Sequence, residues 1–236
     1  MEKLKQIYEG KAKKLYETSD PDLLIQEFKD DATAFDATKR GTILNKGVIN
    51  NKLSEKLFTL LSKNGIPTHF VERLNDRDML IKKVKIVPVE VTIRNIVAGG
   101  MAKLLGLEEG IVLKQSVLEY HYKEDKLHDP LINDYHILAL GIATEKELDT
   151  IRKYSFTIND ILRKFFDSKG LTLVDFKLEF GRFKTKIILA DEISPDTCRL
   201  WDKTTKEKLD KDRFRRDLGG IEEAYQEVLK RVMGSD

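Results

Sequence analysis

Cysteine is almost absent from this chain: Cys198 is the only one in 236 residues. No disulfide can form within one chain, and a thiolate zinc site built from one chain is excluded. That scarcity favours a reducing compartment. Long apolar runs are missing as well. No uninterrupted hydrophobic stretch approaches the roughly 18 residues of a membrane helix, and the opening MEKLKQIYEGKAKKLYE lacks the apolar run of a secretory leader. These readings place the protein in the cytoplasm, with no membrane partner. Charge of one sign is not in surplus either, since 42 basic residues meet 40 acidic ones for a net charge of +2. The broad basic field of a duplex-binding protein is therefore lacking, so no nucleic-acid partner is expected and any anion must be gripped locally. Four histidines stand in no His-x-x-x-His spacing, which gives no histidine-held metal. Neither G-x-G-x-x-G nor G-x-x-x-x-G-K-[ST] occurs, so the common dinucleotide fingerprint and the P-loop are both out.

What is present is an ordinary globular composition, 41% hydrophobic and 35% charged, at a length that suits one large domain or two modest ones. Residues 5–16 and 23–28 read as strands joined through the turn Thr18, Ser19, Asp20, Pro21. The apolar positions Ile49, Leu53, Leu57, Leu60 and Leu61 share one helical face over 47–63, with Gly65 placed to end the helix. Strands return over 68–71 and 79–93, the second interrupted by Pro88, which cannot donate in a central ladder and marks a hinge between lobes. A short Gly-led helix is expected over 101–105. A long one opens at Thr144, with Glu147 in capping-box spacing, and ends at Gly170. Strands over 171–180 and 185–190 are joined by a turn at 181–184, and a helix over 221–232 closes the chain. Strand runs broken by a few helices, without regular βαβ alternation, indicate an α+β architecture of two closely packed lobes.

Four segments carry candidate chemistry. In EGKAKKLYE, Lys11 and Lys13 fall on one strand face roughly 7 Å apart, which suits two phosphates of a polyphosphate; lysines on an edge strand also serve simply to block aggregation. In IVPVEVTIRNIVAGG, Glu90 and Arg94 share a face, and the Gly99, Gly100 pair before a helix offers N–H groups to an anion, although an internal ion pair is the plainer alternative. In LVDFKLEFGR, Asp175, Lys177 and Glu179 point one way while Val174, Phe176, Leu178 and Phe180 point the other. The return strand brings Asp191 near Glu179 or Lys177, to within a residue or two of register. Two carboxylates with oxygen ligands only would suit Mg²⁺; a solvent-facing charged strand is the other possibility. Finally, SPDTCRLWDK and DKDRFRRDLGG put Asp196, Arg199, Lys211, Arg213, Arg215 and Arg216 close by in sequence, where arginines suit a phosphate or a dicarboxylate.

Together these segments resemble the phosphoribosylaminoimidazole-succinocarboxamide synthase (SAICAR synthetase) family, over essentially the whole chain. The pattern P-[LIVM]-E-x-x-x-R-x-x-x-[TA]-G-S appears as PVEVTIRNIVAGG and D-x-K-x-E-F-G appears intact as DFKLEFG. The GKAK, HDP, SPDxxRLWD and DKDRFR segments also look like the family's. One position departs: the family's serine is Gly100 here, which removes a hydroxyl from the ribotide phosphate site.

The resemblance implies a fold of two packed lobes with antiparallel or mixed sheets and flanking helices, related to ATP-grasp and kinase-like nucleotide folds. It implies a nucleotide lobe over 1–87, a ribotide and metal lobe over 88–236, and a homodimer. It also implies a reaction in which ATP, carboxyaminoimidazole ribotide (CAIR) and L-aspartate give SAICAR, ADP and phosphate through an acyl phosphate. On this reading Lys11 and Lys13 hold the ATP phosphates, with Ala12, Leu15, Leu24 and Ile86 around the adenine. Glu179 and Asp191 carry the nucleotide Mg²⁺, and Glu90 and Asp129 carry further Mg²⁺ at the CAIR carboxylate. Lys177 neutralises the transferred phosphoryl group. Arg94, Gly100, Asp196 and Arg199 take the ribotide phosphate and sugar, and the loop from Asp36 to Lys46 with Lys211 and Arg215 takes aspartate. Asp175 either orients Lys177 or acts as a base toward the amine. A small-molecule kinase is the nearest rival, because the same lysines and carboxylates would serve it.

Overall fold

Short alternating segments at the start of the chain pair into an antiparallel sheet in the computed structural model, which describes residues 1–34 and 38–234. Its strands are β1 (Gln6–Glu9), β2 (Lys13–Glu17), β3 (Leu23–Phe28), β6 (Phe70–Arg73) and β7 (Asp78–Lys82), in the order β1-β2-β3-β7-β6. Between β3 and β6 lie a two-stranded ribbon, β4 (Asp31–Ala34) with β5 (Lys39–Thr42), and helix α1 (Lys46–Lys63). The expected continuous strand over 5–16 is instead two strands. Gly10 donates its N–H to the Lys13 carbonyl at 2.8 Å, so residues 10–12 form a tight bend that leaves Lys11 off the ladder. Lys11 and Lys13 therefore do not share a strand face.

The second sheet contains β8 (Lys85–Ile96), β9 (Val112–Tyr122), β10 (Leu131–Ile132), β11 (Leu171–Phe183), β12 (Lys186–Ala190) and β13 (Cys198–Asp202). Its order is β10-β9-β8-β11-β12, with β13 also pairing with β11, and every strand pair is antiparallel. Pro88 does not interrupt β8. Opposite β11, Glu90 faces Glu179 and Ile86 faces Gly181, so residues 87–89 together oppose Phe180. The proline thus sits in a bulge, where no ladder hydrogen bond is asked of it. The chain leaves one sheet for the other at residues 83–84 instead. β11 also runs three residues past its expected end, to Phe183, which moves the hairpin turn to Lys184 and Thr185.

Helices cover the apolar sides. In α1, Ile49, Leu53, Leu57 and Leu61 are buried, as the spacing predicts, whereas Leu60 is only half-buried and Phe58 is buried in addition; Gly65 adopts φ 83 just beyond its end. Helix α2 (Gly99–Leu105) follows β8, and α3 (Asp134–Ala139) follows β10. Sequence reading missed α3, a six-residue helix capped by Asn133 with His136 as the reciprocal partner. Helix α4 (Glu145–Ser168) has the expected capping box, the Glu147 N–H reaching Thr144 Oγ1 at 3.3 Å and the Thr144 N–H reaching Glu147 Oε2 at 2.9 Å. Its buried Leu148, Ile151, Ile158, Leu162 and Phe166 pack behind β11 and β8, each such side chain stabilising by about 1.5–3 kcal/mol. The short α5 (Asp212–Arg215) precedes α6 (Ile221–Met233), which lies against α1. One apolar core runs without a break from Leu24 and Phe28 through α1 to β11 and α4.

Candidate active site

With α4 covering one face of the second sheet, the other face is left to polar residues. Directly paired residues on adjacent strands project to the same side. The register therefore lays out three rows. Arg199 of β13, Asp175 of β11 and Arg94 of β8 form the first, and Lys177, Thr92 and Glu119 of β9 form the second. Glu179, Glu90 and His121 form the third. Strand parity alone had grouped Asp175, Lys177 and Glu179; the register adds six residues from three other strands.

Asp175 does not meet Lys177. It is buried at 2% exposure between two guanidiniums, accepting from Arg94 Nη1 at 2.7 Å and from Arg199 Nη1 at 3.0 and 2.9 Å. Each arginine is tied a second time through Nε, Arg94 to Glu119 at 2.8 Å and Arg199 to Asp212 at 2.9 Å. Burial alone would lower the Arg199 pKa, but Asp175 and Asp212 hold it above the ordinary guanidinium value. The unanchored Nη2 groups of both arginines turn toward the start of α2. A Cβ on Gly99 would lie 2.4 Å from Arg199 Nη2, and one on Gly100 would lie 3.5 Å from Arg94 Nη2. Gly99 also has φ 52, so a side chain there is refused both by the backbone and by Arg199. Its N–H donates to Glu109 Oε1 at 3.1 Å. Burial would raise the Glu109 carboxyl, but Arg216, the Gly99 N–H and Lys208 hold it down at about 2.

At the opposite end, Glu179 pairs across with Glu90 on β8 and with Ala190 on β12, one residue before Asp191. Burial, and then the negative charge of Asp191, push the Glu179 carboxyl up to about 7. Lysines answer both carboxylates. Lys123 pairs with Glu179, and Lys13, reaching over from the first sheet, pairs with Asp191 and lies 2.9 Å from Glu192. Burial would lower the Lys13 ammonium, but Asp191 and Glu192 raise it above the ordinary lysine value. Lys177, half exposed at 47%, lies 2.5 Å from Glu90. Lys123 and Glu192 escaped the sequence reading, yet each left a trace: Lys123 continues the parity of Glu119 and His121, and Glu192 adjoins Asp191.

This donor set fits Mg²⁺. Glu179 and Asp191 offer only hard oxygens, and two protein carboxylates leave room for water and phosphate oxygens. Among the described residues, no group of three Asp, Glu, His or Cys converges into an all-protein cage. The other expected pair is engaged elsewhere: Glu90 with Lys177, and Asp129 Oδ1 with the Glu124 N–H at 3.0 Å.

Asp196 lies between these ends and the C-terminal segment. Its Oδ2 is 2.7 Å from Lys46 Nζ and 3.8 Å from Lys211 Nζ, and its Oδ1 accepts the Tyr225 hydroxyl at 2.6 Å. Burial would raise this carboxyl, but Lys211 and Lys46 hold it well below the usual range. Lys46, fully buried at the start of α1, ends the 36–46 loop expected at the aspartate site, but its pairing with Asp196 gave no signal in the sequence. Arg215 anchors on Asp212 at 2.5 Å. A small cavity of about 40 Å³ opens between Asp196 and Arg215 on one side and Thr92, Arg94, Asp175 and Lys177 on the other. Across the first sheet, Lys13, Leu15 and Leu24 share a face with Phe28 and Ile81. The Ala12 carbonyl accepts from the Lys29 N–H, and Ile86 pairs with Gly181. Asp36 lies outside the described residues.

A family profile described as SAICAR synthetase matches residues 6–232. The chain is 61% identical over 232 residues to the phosphoribosylaminoimidazole-succinocarboxamide synthase of Clostridium kluyveri, covering 98% of this chain and 99% of that protein. The crystal structure of the synthase of the same name from Ehrlichia chaffeensis superposes with a TM-score of 0.96 at 45% identity, over 98% of this chain and 100% of that one. A SAICAR synthetase in complex with ADP superposes with a TM-score of 0.94 at 49% identity, over 97% and 98% of the two chains.

Proposed function

This chain belongs to the SAICAR synthetase family, and from that premise we propose how its cleft divides the work among its residues. The enzyme is an ATP-dependent, amide-forming ligase of purine biosynthesis that joins L-aspartate to the carboxylate of CAIR, giving SAICAR, ADP and phosphate. The observation that carries the assignment of roles is the single polar sheet face, with a two-arginine cradle at one end and a lysine-paired carboxylate cluster at the other.

A carboxylate is a poor acyl donor. Its oxygen attacks the γ-phosphorus of ATP, ADP leaves, and the aspartate amine then attacks the acyl phosphate carbon, expelling phosphate and losing a proton. The ADP of the structural relative supports a nucleotide site in this chain, which we place between the two sheets, where Lys13 reaches over to Asp191. There Lys13, with Lys11 in the adjacent bend, faces the phosphates, and Leu15, Leu24, Ile86 and the Ala12 backbone surround the base. Mg²⁺ held by Glu179 and Asp191 would neutralise phosphate charge, and Glu90 and Asp129 would take a second ion only on release from Lys177 and the Glu124 N–H. Lys177, the most exposed charge on the face, stands between that end and Thr92, where it offsets charge developing on the transferred group. Arg94 and Arg199 take the ribotide phosphate through their Nη2 groups, with the Gly100 N–H beside them. Asp175 serves by fixing both arginines. Lys211 and Arg215, next to Asp196 and the small cavity, receive the aspartate carboxylates, and Asp36 completes that site. The portions on either side of the crossover at residues 83–84, four residues before the expected 87/88 boundary, act as the two walls. The setting we infer is a cytoplasmic homodimer without nucleic acid or membrane partners; no helix among the described residues is long and apolar enough to cross a membrane.

A coupled ADP assay omitting one substrate at a time tests the reading. ADP release is expected only with CAIR and aspartate together. Turnover with the ribotide alone, leaving a stable phosphorylated product, would identify a kinase instead.

The glycine at position 100 supplies a separate test. Its φ lies outside the left-handed region and a Cβ there meets only Arg94 Nη2, at an ordinary 3.5 Å. Gly100→Ser therefore fits without strain and adds a donor for the phosphate. It is expected to lower the KM for CAIR about threefold to tenfold in steady-state kinetics, with the KM for ATP unchanged.

A further inference from the structure

Thr92 stands in the middle row of the polar face, between Lys177 and Glu119. It is 2% exposed and lines the small cavity with Arg94, Asp175, Lys177 and Arg199, yet its hydroxyl has no hydrogen-bond partner among the described residues. Burying an unsatisfied hydroxyl costs about 1–3 kcal/mol. Valine has the same shape and suits a strand equally well, so packing alone gives no reason for the oxygen. The family pattern leaves the three positions between Glu90 and Arg94 open and thus assigns nothing to residue 92.

The strand fixes where this hydroxyl falls on a bound substrate. At about 3.3 Å per residue, Glu90 and Arg94 are roughly 13 Å apart along β8, with Thr92 midway. On the ligase reading, on which this step rests, the reacting carboxylate of the ribotide lies toward Glu90 and Lys177, and its phosphate lies toward Arg94 and Arg199. A ligand stretched between those ends lays its sugar and imidazole over Thr92. We propose that the Thr92 hydroxyl is a specificity-determining contact of this enzyme, hydrogen-bonding the ribosyl-imidazole middle of the ribotide. A hydroxyl both donates and accepts, so it matches either the sugar oxygens or the ring amine.

Thr92→Val and Thr92→Ser, assayed with each of the three substrates varied in turn and melted thermally, decide the matter. Thr92→Val is expected to raise the KM for CAIR about threefold to tenfold, the worth of one neutral hydrogen bond, with the KM values for ATP and aspartate unchanged. Its melting temperature stays level or rises, because no protein partner is lost. Thr92→Ser, which keeps the oxygen, returns the KM for CAIR to near the wild-type value. An unchanged KM for CAIR in Thr92→Val overturns the proposal. So does a uniform loss for all three substrates with a lowered melting temperature, which would make the hydroxyl structural. Failure of the wild-type enzyme to release ADP when CAIR and aspartate are both supplied would instead refute the ligase reading itself.

Discussion

Asp175→Asn is expected to lower kcat/KM for CAIR by about a hundredfold to a thousandfold while leaving the KM for ATP near its wild-type value. Among the described residues the carboxylate is the one acceptor that Arg94 and Arg199 share; Asp175 and Arg94 are buried, and the Arg199 side chain is 18% exposed. Removing one partner from such a buried cluster strands the opposite charge, which typically costs 3–5 kcal/mol. Glu119 and Asp212 still hold the two Nε groups, so the arginines are loosened, not released. Their Nη2 groups then lose the fixed aim at Gly99 and Gly100, and an orientation error of that kind falls on the phosphate end of the ribotide. Kinetics with each substrate varied separately, together with a thermal melt, check the result. A normal KM for CAIR would show that Glu119 and Asp212 suffice.

Asp191→Asn is expected to reduce turnover on the order of a thousandfold and to raise the Mg²⁺ concentration needed for half-maximal rate. The fold should hardly notice. Asp191 has φ 64, a left-handed conformation that asparagine adopts as readily as aspartate. Lys13 keeps Glu192 as a partner at 2.9 Å. What is lost is one full negative charge beside Glu179 and one hard oxygen for a cation. Titrating Mg²⁺ at saturating ATP separates this effect from a folding defect. Wild-type turnover in the variant would remove Asp191 from the metal site.

Much of this was legible because period-two patterning is local. The alternation from Asp175 to Phe180 separates the core face from the polar face without any knowledge of neighbours, and the Thr144 and Glu147 spacing marks the start of α4 equally well. Val174, grouped by parity with Phe176, instead packs with Ala98 and Trp201, because a bulge against β13 between Leu173 and Asp175 shifts the alternation. Where the reading fell short, the missing information was cross-strand. Asp175 and Lys177 are two apart on one strand, roughly 7 Å, whereas residues paired across strands approach to about 5 Å. Asp175 therefore answers to Arg94 and Arg199, not to Lys177. Glu119, Asp212, Lys123 and Lys46 enter the site as ion-pair partners from distant parts of the chain, and no spacing rule connects them. Lys11 misled for a local reason: the Gly10 to Lys13 hydrogen bond turns the chain before the strand begins.

The lysine and carboxylate pairs at the nucleotide end have a kinetic side. With Lys13 on Asp191 and Glu192, Lys123 on Glu179 and Lys177 on Glu90, the resting cleft supplies its own counter-ions and projects little net field into solution. An incoming polyanion is not drawn down a positive funnel from afar. On the roles proposed above, it arrives by ordinary diffusion and exchanges partners at contact, its phosphates taking the lysines and its cation the carboxylates. The speed of encounter is thereby decoupled from ionic strength, and discrimination among anions is deferred to the moment of fit.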